Sequence, residues 1–179
     1  MEDRGRTLPA MTDPADLRPG AVARRTRTVR AEDIALFTEL TGDRNPVHYD
    51  ADLAARSRFG GLVVQGGVTT GLLNALVAED LPGPGSVFLH VDWRFPAPVR
   101  PGDVLTAEAR VLEVRADKPI CTLATTVRTA EGVVVVDGTA VVWRDPVVRR
   151  EVEQRGTGQR GTGQRGPEHP APTREERSA

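Results

Sequence analysis

The sequence predicts an α+β domain in which a meander of strands surrounds one buried helix. Three observations predict it. From Val68 to Ala78 the chain carries no charge and places apolar side chains in nearly every direction, as a helix buried all round does. Four runs rich in β-branched residues follow, separated by short turn signals. Ahead of the helix, Thr41 to Gly67 is rich in Gly, Asp, Asn and Pro, and is long for a connection. Long connections in compact domains are often functional.

The elements follow in chain order. Residues 1–18 are polar, contain Pro9 and Pro14 and show no apolar periodicity, so they are expected to be a disordered extension. The domain itself is expected at 19–148. Gly20–Val29 alternates weakly and reads as a first strand. Ile34, Phe37 and Leu40 recur at helical spacing, with Glu32 and Asp33 in the first turn, where they suit the helix dipole. After the irregular stretch comes the buried helix, ended by Leu81-Pro-Gly-Pro-Gly85. Strands are expected at Ser86–Phe95, Asp103–Val114, Pro119–Thr129 and Val133–Arg144. Pro101-Gly102, Asp117-Lys118-Pro119 and Glu131-Gly132 supply the turns between them. From Arg149 aliphatic residues nearly vanish and a five-residue unit, Arg-Gly-Thr-Gly-Gln, repeats. Such a chain buries too little apolar surface to offset the entropy of ordering, so 149–179 is expected to be a disordered tail.

Composition narrows the function. Lys+Arg 24 against Asp+Glu 25 leaves a net charge of -1, which gives no global attraction to nucleic acid. One cysteine, Cys121, excludes an internal disulfide framework and a multi-cysteine metal site. No apolar run reaches the roughly 18 residues a membrane helix needs, and the first residues lack the apolar stretch of a signal peptide. The expectation is a soluble cytoplasmic protein without nucleic-acid or membrane partners, metal or cofactor.

The informative segment runs from Phe37 to Ala54. It sets a carboxylate, Asp43, shortly before an imidazole, His48, with Gly42 and Pro46 bending the chain so that the two side chains can converge. A carboxylate and an imidazole together give a base and a proton carrier at neutral pH. The same Asp-Arg-Asn-Pro run is also good turn chemistry, and spacing alone does not choose between the two.

The residues taken together resemble the MaoC-like, (R)-specific enoyl-CoA hydratases. The likeness lies in F-x-x-L-T-G-D-R-N-P-V-H-x5-A, in Phe59-Gly-Gly-Leu-Val-Val-Gln-Gly-Gly67, in Leu81-Pro-Gly-Pro-Gly-Ser86 and in Asp117-Lys-Pro-Ile120, spanning 19–144. The resemblance implies a hot-dog fold, an antiparallel sheet wrapped around the central helix, usually dimerised into one continuous sheet. It implies that Asp43 and His48 hold one water, which adds to the β-carbon of a trans-2-enoyl thioester while the α-carbon is protonated from the same face. It further implies that the Gly66 backbone N–H, at the start of the buried helix, meets the thioester oxygen. Asn45, Gln65 and Asn74 are carried as candidate substrate-binding residues. Two positions depart from the pattern: Gln65 stands where the family has histidine, and Asn74 where its nearest members have serine. Gln65 keeps a hydrogen bond but no charge, and an amide within an apolar helix needs a partner.

Other candidates carry less. His90 is expected on the strand face opposite Val87, Leu89, Val91 and Trp93. His169 sits in the tail, Cys121 is a small core residue, and Trp93 and Trp143 suit packing or an interface. Arg56 and Arg58 flank the loop where coenzyme A phosphates would pass. The expected activity is reversible hydration of a trans-2-enoyl-CoA to the (R)-3-hydroxyacyl-CoA by a homodimer that needs no cofactor. The alternatives are a dehydratase or hydratase on carrier-protein-bound acyl chains, a hot-dog thioesterase, and a non-catalytic thioester-binding subunit.

Overall fold

The computed structural model describes residues 17–158. The expectations for 1–16 and 159–179, His169 included, fall outside the described residues. Five strands form one antiparallel sheet: β1 (Val22–Thr28), β2 (Ser86–Arg94), β3 (Val104–Val114), β4 (Ile120–Thr129) and β5 (Val134–Arg144). Their spatial order is β1-β3-β4-β5-β2, which leaves β1 and β2 at the two ends. Helix α3 (Gly66–Glu79) packs against β1, β2, β3 and β4, so the sheet wraps it as expected. Leu72, Leu73, Leu76 and Val77 of α3 meet Leu105, Ala107, Leu123, Val136 and Val142 of the strands in one buried cluster. Each strand begins within two residues of its expected start. No helix among the described residues is long and apolar enough to cross a membrane.

Helix α1 (Ala31–Thr41) starts where Asp33 accepts the Arg30 backbone N–H at 2.8 Å and also pairs with Arg27. It ends at Gly42, whose φ of 78° is the left-handed conformation a helix-terminating residue adopts. The stretch expected to be irregular contains a 3-10 turn at Pro46–His48 and a short helix, α2 (Ala51–Arg56). Asp50 caps α2 by accepting the Leu53 N–H at 2.9 Å. Six residues are too few for a periodic signal, so only the cap betrays that helix.

Three expectations need correction. Helix α3 is not buried all round: the sheet covers one side, and Asn74 is exposed on the other. The apolar face expected of β2 is split, because a bulge between Phe88 and His90 shifts the register against β5. Val87 and His90 oppose Trp143 and Val141 on one side, while Phe88, Val91 and Trp93 oppose Val142, Ala140 and Gly138 on the other. Phe88 and Trp93 then meet edge to face, their centroids 5.7 Å apart. The tail does not lose structure at Arg149, since α4 (Pro146–Gly158) is helical there. Asp145 accepts the N–H groups of Val147 and Val148, proline occupies the first helical position, and Glu151 pairs with Arg155 one turn on. Local capping, not apolar content, makes this helix.

Candidate active site

The Asp43–His48 turn is held by hydrogen bonds within it and by one to Val63. The Asp43 carboxylate accepts the Asn45 N–H at 3.1 Å through Oδ1, the usual reach of an Asx turn. Asn45 in turn caps the 3-10 turn that carries His48, accepting the Val47 N–H at 3.4 Å. Asn45 thus shapes the turn with its side chain. His48 is pinned from the far side by the carbonyl of Val63, 2.7 Å from Nδ1. A carbonyl only accepts, so Nδ1 carries the proton, and in the neutral ring Nε2 is left bare. That Nε2 lies 3.6 Å from Asp43 Oδ2.

The two expected partners are therefore brought together, and their exposures differ usefully. The His48 side chain is 9% exposed, whereas that of Asp43 is 40% exposed. One group is anchored and the other open to solvent. Two acceptors at this separation can both be reached by one small hydrogen-bond donor.

A cavity of about 360 Å³ is reached from the pair through Val63. Its walls include Val63, whose carbonyl holds His48, and Gly66 at the start of α3, together with Arg58, Phe59, Thr69 and Phe95. Asp43 and His48 are not themselves among its walls. The Gly66 N–H belongs to the first turn of α3, where no intrahelical acceptor exists and the dipole favours negative charge. Phe95 stands against Gly66, its Cε1 3.1 Å from where a side-chain carbon would begin.

The remaining candidates divide. Gln65 is buried at 2% exposure, but its amide turns away from the cavity, donating to Ile34 O at 3.3 Å and Thr38 Oγ1 at 3.1 Å of α1. Asn74 is exposed on the open side of α3. Arg58 reaches the cavity wall with its guanidinium over the Phe59 ring, while Arg56 ends α2. Sequence reasoning missed Arg100, which donates to the carbonyls of Phe59 and Leu62 and so fixes the loop forming the cavity rim. Nothing in its position beside Pro101 signals that reach. Trp93 donates to Thr125 Oγ1 at 2.9 Å, a packing role.

Comparison with known proteins matches the MaoC like domain over residues 17–133. The chain is 40% identical over 126 residues to the (R)-specific enoyl-CoA hydratase of Aeromonas caviae, covering 70% of this chain and 94% of that protein. It is 37% identical over 127 residues to the 3-hydroxybutyryl-CoA dehydratase of Methylorubrum extorquens, covering 71% and 80%. Among solved structures, the (R)-hydratase from A. caviae involved in PHA biosynthesis superposes with a TM-score of 0.69 at 38% identity, covering 73% of this chain and 98% of that one.

Proposed function

The chain belongs to the MaoC-like family and has its hot-dog fold, and from that premise we propose that it is a hydro-lyase adding water reversibly to trans-2-enoyl thioesters to give (R)-3-hydroxyacyl thioesters. The observation that carries this reading is the Asp43–His48 pair at 3.6 Å, with Nε2 bare and the carboxylate open. Relatives named as a hydratase and as a dehydratase fit one chemistry, since a reversible reaction uses the same groups in both directions.

One water donates to Asp43 Oδ2 and His48 Nε2, which leaves an oxygen lone pair aimed at the β-carbon. As the C–O bond forms, a proton passes from water to the paired acceptors, and the thioester oxygen takes up enolate charge against the Gly66 N–H. A proton then returns to the α-carbon from the same face. The elements of water add across the double bond and nothing else is consumed. The substrate class is an acyl thioester of coenzyme A or of a carrier protein, bound along the cavity walled by Val63 and Phe95.

The reading extends to assembly and location. We place the enzyme in the cytoplasm as a homodimer, joined through β2, an end strand with no further strand beside it among the described residues.

The test is turnover of a short trans-2-enoyl-CoA, followed as loss of enoyl-thioester absorbance with the stereochemistry of the product determined. Asp43→Asn and His48→Ala each lower the rate by about 10²–10⁴-fold. Because both act on one water, the double variant loses little more than the worse single one. Near-wild-type hydration by folded Asp43→Asn overturns the mechanism. Release of free thiol in place of hydration makes the protein a thioesterase.

A further inference from the structure

We propose that Gln65 and Thr38 form a one-way hydrogen-bond relay that positions Asp43 for catalysis; the inference rests on the hydratase reading above. Thr38 is a buried polar residue near the end of α1. Its hydroxyl has a single proton, and the Asp43 carbonyl, 2.7 Å away, only accepts, so the proton goes there. Thr38 Oγ1 must then accept from Gln65 Nε2 at 3.1 Å, while the neighbouring Tyr49 hydroxyl gives its own single proton to the Ile34 carbonyl at 3.2 Å. The second Gln65 N–H faces the Ile34 carbonyl at 3.3 Å.

The direction of the amide is fixed by this arrangement. Gln65 Oε1 is buried without a partner among the described residues, which is a cost the site bears. Flipping the amide would set that oxygen against the Ile34 carbonyl and a Thr38 oxygen whose proton is committed elsewhere, so only donors serve here. On the other side the Asp43 N–H reaches Thr41 Oγ1 at 3.3 Å. The Asp43 backbone is thus gripped at both its N–H and its C=O, and its carboxylate is left to address His48. Gln65 precedes Gly66 directly, so one dipeptide both holds the base and offers the oxyanion donor.

Thr38→Val keeps the volume and removes the hydroxyl, and Gln65→Met fills a similar space without a donor. Each is expected to lower kcat about tenfold or more while KM stays within about twofold, as loss of positioning alone does. Thr38→Ser, which keeps the hydroxyl, recovers most of the loss. In an Asp43→Asn background Thr38→Val adds little, whereas a merely structural role would multiply the two losses. Wild-type kcat in either folded variant, or multiplied losses in the combined one, overturns the relay. If only one variant folds, it decides the question; if neither folds, the relay is a folding element and the proposal fails. Absence of hydration by the unaltered protein counts against the hydratase reading, and wild-type hydration with unresponsive variants counts against the relay alone.

Discussion

Cys121 shows how strongly the interior acts on a single group. Burial pushes its thiol up to about 11 from an ordinary 9.0, and the positive charge of Arg144 opposes this only in part. With the folded value raised, the unfolded chain ionises first as pH rises. Folding stability therefore falls between about pH 9 and 11, and is unaffected by this group below that window. Denaturant midpoints measured at pH 8 and pH 10 are expected to drop more for the wild type than for Cys121→Val. An equal drop in both would remove the thiol as the cause. At this scale the sequence carried residue identity well and direction poorly. Asp43, Asn45 and His48 were legible because their partners lie within a few residues, and local turn chemistry fixes their approach. Gln65 was legible as a hydrogen-bonding residue next to Gly66 but was expected toward the substrate, whereas its side chain bonds Ile34 and Thr38, far back in the chain. Only the docking of α1 on α3 decides that.

Elements with long periodic signals were found and those governed by caps or register were not. The five strands and α3 stood out because burial imposes a pattern on many residues at once. Helices α2 and α4 depend on Asp50 and Asp145, single residues that also begin ordinary turns. The β2 bulge left no signal, because a bulge is an extra residue judged against a partner strand that lies some fifty residues later in the chain. The pairing of β2 with β5 has one fragile point. Gly138 has φ 152°, and a side-chain carbon there would run into the Asp92 carbonyl of β2. Gly138→Ala is expected to cost about 2 kcal/mol or more through overlap and strain. At roughly 4 °C per kcal/mol for a domain of this size, Tm falls by about 8 °C or more. A calorimetric Tm within a degree or two of wild type would mean that β2 shifts freely against β5.

For the whole molecule, the two ends of the sheet differ in chemistry. The β2 end carries Val87, Leu89 and Val91, all exposed, with Phe95 just beyond. Sedimentation at micromolar concentration is expected to give a dimer, and Val91→Asp, which sets like charges across the joined strands, a monomer. A monomeric wild type would overturn the proposed assembly. The β1 end is different: it carries Arg24, Arg25 and Arg27, which fold back onto Glu108 of β3, Asp80 at the end of α3 and Asp33 of α1. Charged side chains along an edge are one way strands resist edge-to-edge pairing, and two such strands brought together would crowd arginines that already have partners. The proposed assembly therefore grows the sheet from the β2 end only. Once two copies have met through β2, both remaining edges are of the arginine-lined kind. In the proposed assembly the particle would then be closed to further addition, and a discrete pair rather than an extending ribbon is expected even at high concentration.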